Sequence, residues 1–202
     1  MKSLLILLLV IGLFCKETGT RSADSMVLTS ESGCDDPDGD VSCCFRNMPA
    51  DLSAVMLIGG PSEPGEQLTI TGTIYHEDGK TPYPGVTVYA YHTDSKGYYS
   101  KDGTEKGIQK WHGRLHGWCR SDRYGRYEIR TIRPAPYPNA TIPAHIHAAI
   151  LEPGKAPFYL SDYVFSDDRL VTPAYLASVR GPGGKGVITL GKTSAGWTGK
   201  RD

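Results

Sequence analysis

Three side chains able to bind a metal ion lie within eleven positions, from Tyr137 to His147. A His-x-His pair in an extended strand places both imidazoles on the same face, because side chains alternate with a period of two. His145 and His147 therefore point together, and Ile146 points the other way. Tyr137 is flanked by two prolines, which hold the chain extended around the phenol. Phenolate oxygen and imidazole nitrogen form a hard-to-borderline ligand set that favours ferric iron over a soft metal.

The segments around this motif predict an all-β fold. Short apolar-polar alternations are separated by turns rich in glycine and proline, and no helical periodicity exceeds two turns. We expect a single β-sandwich domain with Gly/Pro-rich loops at 66–193, preceded at 23–65 by an irregular, disulfide-bearing arm around one short strand. A flexible tail is predicted at 194–202. The predicted strands of the sandwich are 68–75, 86–91, 127–132, 145–151, 159–165 and 186–190.

The charge balance argues against a nucleic-acid partner. The chain has 22 basic and 22 acidic residues in 202, so it carries no net charge to attract a polyanion. Its length is enough for one domain with a substantial core, and no repeat is present.

The first 22 residues have the order of a secretory signal peptide. Lys2 gives a positive start, an apolar run occupies 4–14, and a polar stretch follows. A run of that length is too short to span a bilayer. We therefore expect a secreted, soluble protein with no membrane partner.

Removal of the signal peptide with Cys15 leaves Cys34, Cys43, Cys44 and Cys119. An even number of cysteines in a secreted chain favours two disulfides. A bond between the adjacent pair at 43 and 44 would be strained. The expectation is that Cys34 bonds to one of this pair and Cys119 to the other, fastening the arm to the domain.

Three segments resemble the intradiol ring-cleavage dioxygenase family. The stretch 117–138, GWCRSDRYGRYEIRTIRPAPYP, resembles the central signature of the family, and 143–147, PAHIH, resembles its second signature. The stretch 84–100 resembles the segment that carries the first tyrosine ligand. The resemblance covers roughly 66–170. The chain lacks the helical N-terminal dimerisation domain of catechol-type members. The chain thus looks like the short, secreted eukaryotic branch.

The resemblance implies an Fe(3+) site with two tyrosines and two histidines. Tyr137, His145 and His147 carry over directly, and the register after Lys-Gly selects Tyr99, with Tyr98 as the alternative. It also implies a reaction in which a catechol and O2 give a muconate-type diacid. Tyr99 would then be both a ligand and the general base that accepts a substrate proton. We expect a monomer whose partners are a small catechol and O2.

The chain departs from the family pattern at three positions. Ile142 stands where the family usually has arginine, and Asp162 stands where glutamine is frequent. We count both as catalytic positions, and either Arg120 or Arg133 could supply the missing cation. Asn139 replaces a frequent aromatic residue and begins a glycosylation sequon. A pocket with few basic groups is expected to prefer uncharged catechols to carboxylated ones.

Two non-enzymatic readings remain beside the dioxygenase. One is a sandwich that keeps the fold and binds iron or catechols without turnover, which the isoleucine at 142 favours. The other is a transthyretin-like or carbohydrate-binding sandwich without a metal. A serine hydrolase is disfavoured, because the chain has no Gly-x-Ser-x-Gly motif.

Overall fold

Two β-sheets pack face to face in this protein. The computed structural model describes residues 31–139 and 141–202, so the predicted signal peptide with Cys15 lies outside the described residues. The first sheet has the order β1 (Val55–Leu57), β5 (Arg126–Ile132), β2 (Gln67–Thr73), β11 (Gly196–Lys200) and β10 (Gly191–Thr193). The second has the order β4 (His116–Arg120), β3 (Thr87–His92), β6 (His145–Leu151), β8 (Tyr163–Phe165) and β9 (Val187–Ile188), with β7 (Phe158–Tyr159) also paired to β6. The all-β sandwich predicted from the sequence is confirmed.

Strand β6 has one face in the sandwich interior and one face outside it. Ile146, Ala148 and Ile150 belong to the buried apolar core between the sheets. Burial of an isoleucine side chain contributes about 1.5–3 kcal/mol, so this face anchors the strand. His145 and His147 alternate with these residues and lie on the outer face. The predicted alternation of side chains with a period of two is therefore confirmed for this strand, and the two histidine side chains do not belong to the core between the sheets.

Part of that outer face is covered by the N-terminal arm. Two short 3-10 turns, Glu31–Cys34 and Val41–Phe45, pack there with helix α1 (Gln109–His112). The indole N–H of Trp118 on β4 donates a hydrogen bond to the Cys44 carbonyl at 2.8 Å. The arm is therefore part of the packed structure on the side of the sheet that carries the histidines.

Of the two predicted disulfides, the structure contains one. Cys34 and Cys43 form a disulfide, with their Cα atoms 5.4 Å apart. The second predicted disulfide, from Cys119 to the other member of the pair, is wrong, because Cys44 and Cys119 are both free and buried. Cys44 lies on the outer face of the second sheet, 3.4 Å from the Tyr159 hydroxyl. Cys119 points into the sandwich core, so the sheet separates the two thiols.

The prediction of a flexible tail is also wrong. Strand β11 pairs in parallel with β2, and β10 pairs with β11 in an antiparallel hairpin. The Trp197 indole N–H donates a hydrogen bond to the Glu66 carboxylate at 2.9 Å, at the start of β2. The second helix, α2, spans Pro173–Ser178 and is capped by the Thr172 hydroxyl. None of the helices in the described residues is long and apolar enough to cross a membrane.

Candidate metal centre

Four side-chain donor atoms converge at the beginning of β6, on the outer face of the second sheet. The hydroxyl oxygens of Tyr99 and Tyr137 are 2.6 Å apart, and the Nε2 atoms of His145 and His147 are 3.1 Å apart. The Tyr137 oxygen lies 3.2 Å and 3.4 Å from the two Nε2 atoms, and the Tyr99 oxygen lies 3.0 Å from His147 Nε2. Atoms that bind one first-row metal ion at about 2 Å each stand roughly 3 Å apart. The cluster thus has the dimensions of a ligand set for one ion.

The second nitrogen of each imidazole is fixed by an acceptor. His145 Nδ1 donates to the Pro143 carbonyl at 2.7 Å, and His147 Nδ1 donates to Asp162 Oδ1 at 2.8 Å. With the proton on Nδ1, each Nε2 atom presents its lone pair to the cluster, as ligating histidines do. Asp162 therefore contacts a member of the cluster and orients it, rather than facing the phenols directly.

One aspartate shapes the segment that carries Tyr99. Asp94 Oδ1 accepts hydrogen bonds from the backbone N–H groups of Lys96 at 2.8 Å and Tyr98 at 3.1 Å. Its other carboxylate oxygen accepts a hydrogen bond from the Ser100 hydroxyl. Of the two candidate tyrosines, Tyr99 contacts the cluster, whereas Tyr98 is 57% exposed.

Two glycines allow this segment to approach its neighbours. Gly97 has φ +86°, and a Cβ atom there would lie 2.2 Å from the Pro136 carbonyl oxygen. Gly113, which follows α1, has φ +74°, and its Cβ would lie 2.9 Å from the Tyr99 backbone. Only glycine fits both the backbone conformation and the contact at these positions. The contact at Gly97 brings together the two segments that carry the tyrosines, and the contact at Gly113 places the end of α1 against the Tyr99 segment.

The segment that carries Tyr137 is more exposed to solvent than the segment that carries Tyr99. Tyr137 stands between Pro136 and Pro138, both exposed. Asn139 is also exposed and has φ +62°, a conformation that asparagine tolerates better than most residues. Ile142, the residue in place of the family arginine, is 39% exposed. It lies three residues before His145 and brings no charge to this side of the site.

The environment of the cluster favours neutral side chains unless a cation is bound. Burial raises the pKa of Tyr99, and the contact with Tyr137 raises it further. Burial also raises the pKa of Tyr137 and lowers the pKa of His145. Two phenols become phenolates in such a place only when a strong positive charge stabilises them. The donor set of two phenol oxygens and two imidazole nitrogens therefore fits ferric iron.

An aromatic stack behind the cluster was not predicted from the sequence. The ring of Tyr91 on β3 stacks on His147 with centroids 4.6 Å apart and on His112 at 3.6 Å. The Tyr89 hydroxyl lies 2.8 Å from His112 Nδ1 and connects the stack to the buried face under the arm. The alternation of tyrosines on β3 indicates a shared face, but His112 is supplied by α1 and has no local signal.

Neither arginine proposed to replace the missing cation contacts the cluster. Arg133 forms two hydrogen bonds with the Asp167 carboxylate, each 2.8 Å long. Arg120 lies beside Thr87, which pairs with β6 at its opposite end from the histidines. Within the described residues, no lysine or arginine makes a hydrogen bond or ion pair with the four donor side chains.

Comparison with known proteins gives matches over the region that contains the cluster. A family model described as Dioxygenase matches residues 44–182. Catechol 1,2-dioxygenase 1 of Acinetobacter lwoffii is 35% identical over 80 residues, which are 38% of this chain and 24% of that protein. Catechol 1,2-dioxygenase of Acinetobacter baylyi is 33% identical over 89 residues, 44% of this chain and 28% of that protein. The matched segment thus spans about a quarter of each of these relatives.

Solved structures share the fold over a larger part of the chain. The dioxygenase domain of a dioxygenase–carbohydrate-binding fusion from Streptomyces sp. SirexAA-E has a TM-score of 0.56 at 22% identity, covering 77% of this chain and 89% of that one. Catechol 1,2-dioxygenase from Pseudomonas arvilla C-1 has a TM-score of 0.56 at 19% identity, covering 76% and 57%. At these identities the likeness concerns the fold.

Proposed function

The chain belongs to the intradiol dioxygenase family, and from this premise we propose that it is a non-haem ferric enzyme that opens catecholic rings with O2. The catechol and both atoms of O2 combine into one product, a muconate-type diacid. The ring bond that breaks joins the two carbons bearing the hydroxyl groups.

The convergence of Tyr99, Tyr137, His145 and His147 supports this proposal most directly. Two oxygens and two nitrogens within hydrogen-bond distance of one another would hold a single ferric ion. The anchored Nδ1 atoms keep both imidazoles in the ligating tautomer.

A ferric ion held there would supply Lewis acidity toward the two catechol oxygens and a template that orients them. Tyr99 is the base in this proposal: its oxygen lies among the donor atoms, and as the phenolate that a bound ferric ion would stabilise it could accept a proton from a substrate hydroxyl. His145 and His147 stay in place through their acceptors. The stack of Tyr91 on His147 limits rotation of that ring.

The relatives and the charges near the site support the proposed substrate class. Two relatives are named catechol 1,2-dioxygenases, which supports a catechol as the substrate of this chain. With Ile142 at the exposed side and no arginine on the cluster, a catechol that bears a carboxylate would find no partner for its charge. Uncharged catechols are therefore expected to react faster than protocatechuate.

We also propose that the protein acts outside the cytoplasm. The apolar run at 4–14 and the disulfide between Cys34 and Cys43 both support an oxidising compartment. N-terminal sequencing of material from the medium of expressing cells tests this: the first residue should lie near position 23. Secreted protein that still begins with Met1 would contradict the signal peptide.

The experiment for the reaction measures O2 uptake by the iron-loaded protein with plain catechol, together with formation of cis,cis-muconate. One muconate per O2 consumed supports intradiol cleavage. In Tyr99→Phe we expect retention of part of the iron and loss of most activity, about 100-fold or more for a general base. Tyr98→Phe is the matched control and should retain the rate, whereas full activity in Tyr99→Phe would transfer the role to Tyr98.

The second candidate function is binding of iron or catechols without turnover. The exposed Ile142 favours it, because no cation stands there to stabilise negative charge on the reacting ring. A coloured, iron-containing protein that binds catechol but consumes no O2 would support this candidate over the enzyme. A colourless protein that takes up no iron would reject both.

A further inference from the structure

One carboxylate lies beside the candidate centre with part of its surface in contact with solvent. Asp162 uses Oδ1 to accept the hydrogen bond from His147, and its side chain is 32% exposed. One of its oxygens lies within 4.8 Å of a ring nitrogen of each of His145 and His147. Among the described residues, Oδ2 has no hydrogen-bond or ion-pair partner. One oxygen therefore orients the histidine, and the other leaves negative charge at the edge of the site.

The carboxylate is ionised at neutral pH. An aspartate side chain in contact with solvent carries a negative charge at this pH, because the ordinary pKa of the residue is about 4. The nearby cation is Arg201, whose guanidinium donates to the carbonyls of Ser161 and Gly183 and lies over the ring of Tyr163. Tyr163 faces the sandwich interior, so Arg201 lies behind the carboxylate and away from the outer face.

The remaining side chains near the site do not balance this charge. Ile142 and Tyr98 are both exposed, and neither is a basic residue. Within the described residues, the hydrogen bonds and ion pairs of the cluster and of Asp162 include no lysine or arginine. A bound catechol whose ring substituent reaches this edge would meet one negatively charged side chain, and no lysine or arginine that contacts the cluster or Asp162.

From this arrangement we propose that the site selects catechols that carry an ammonium group on a short side chain. The inference rests on the proposed function and names the substrate class of the same site. Attraction to one partly exposed carboxylate corresponds to a preference of about two- to fivefold over a neutral catechol of the same shape. A carboxylated catechol should be disfavoured by a similar factor.

The test compares three catechols with similar side chains: dopamine as the cationic probe, 4-ethylcatechol as the neutral probe and 3,4-dihydroxyphenylacetate as the anionic probe. Two quantities are measured for each on the iron-loaded protein: kcat/KM in air, and Kd without O2 from the change in visible absorption. We expect the order cationic, neutral, anionic in both. The preference should shrink at 0.5 M salt, because salt screens partly exposed charges.

Asp162→Asn is the decisive variant, since its amide oxygen can still accept the hydrogen bond from His147 while the charge is removed. The ratio of dopamine to 4-ethylcatechol, in kcat/KM and in Kd, should fall to about one, whatever happens to the absolute rates. Glu152→Gln is the matched control, because Glu152 follows the far end of β6, and it should leave the ratio unchanged. Ile142→Arg, at an exposed position, should reverse the order in favour of 3,4-dihydroxyphenylacetate.

The outcomes separate the two proposals. Turnover of 4-ethylcatechol with no advantage for dopamine, or an advantage that persists in Asp162→Asn, would overturn the charge selection and leave the dioxygenase standing. Absence of both binding and turnover for all three catechols would reject the dioxygenase, and the selection with it.

Discussion

The two tyrosines of the candidate centre meet at one hydrogen bond, but their segments are built differently. The Tyr99 segment is fixed by the Asp94 carboxylate and fits closely through Gly97 and Gly113. The Tyr137 segment depends on flanking prolines and continues through exposed residues as far as Ile142, after which the buried Pro143 and Ala144 lead into β6. One side of the site is therefore locked by the Asp94 carboxylate and by close backbone contacts, whereas the exposed part of the other side can vary without disturbing it.

This division matches the roles proposed for the two sides. The locked side carries the proposed base, which must stay within hydrogen-bond distance of a substrate proton. The exposed side carries Asn139 and Ile142, positions where the chain departs from the family pattern. Substitutions on the locked side should therefore change stability and ligand geometry together, and substitutions on the exposed side should change neither strongly.

The largest effect is expected for Gly97→Ala. The new methyl would collide with the Pro136 carbonyl, and alanine is strained at φ +86°. We expect a loss of about 3 kcal/mol or more in the free energy of unfolding, measured in urea, and an altered tyrosinate–iron absorption. Gly103→Ala is the control, because Gly103 has φ +89° with nothing within 4 Å of its Cβ position. It should lose only the backbone term of about 1–2 kcal/mol, and equal losses would contradict the importance of the close contact.

An intermediate effect is expected for Asp94→Ala, which removes the acceptor for two backbone N–H groups and a hydroxyl. The expected cost is about 2 kcal/mol, with a weaker visible absorption band from the Tyr99 ligand. Asp94→Asn should cost less, because one carbonyl oxygen can still accept.

The same residue gives a prediction for pH. Burial acts to raise the pKa of Asp94, but hydrogen bonds from Ser100 and the backbone hold it below its ordinary value in the folded protein. The stabilisation is therefore complete above the unfolded pKa of about 4 and is lost as the pH falls through the folded value. The stability gap between wild type and Asp94→Asn should close from pH 6 to pH 3. A gap that stays constant would show that the charge contributes nothing.

The smallest effects are expected at Asn139 on the exposed side. Asn139→Ala should lose about 1 kcal/mol, because alanine is strained at φ +62°. Asn139→Gly should be close to neutral, since glycine accepts this conformation. Both variants should keep the visible spectrum of the iron-loaded protein. A spectrum altered as strongly as in Gly97→Ala would show that the two sides are equally rigid.

Local patterns were enough to predict much of the fold and the histidines. The alternation at β6 has a period of two whatever the rest of the chain does, and it placed His145 and His147 on one face. The choice of Tyr99 over Tyr98 came from the resemblance to the family, whose pattern places this tyrosine after Lys-Gly-x. In the structure Tyr99 contacts the cluster and Tyr98 is exposed. The partner of Asp162 and the position of Ile142 relative to solvent had no such signal.

The features that were missed depend on contacts between distant segments. Parallel pairing of β11 with β2 joins residues more than a hundred positions apart, so a short polar stretch resembled a tail. Cys44 and Cys119 lie on opposite faces of one sheet, which cysteine spacing does not reveal. The stack of His112 on Tyr91 needs α1 to fold back over β3. Sequence spacing alone does not encode these distances.

The two faces of β6 also bear on how such a protein can evolve. Selection for a packed interior acts on Ile146, Ala148 and Ile150. Selection for chemistry acts on His145 and His147, which belong to the same strand. Drift in one set leaves the other intact, so a lineage can lose its reaction and keep the sandwich, or repack the interior and keep the reaction. Ancestry is therefore recorded in residues 146, 148 and 150 of this strand, and activity in His145 and His147.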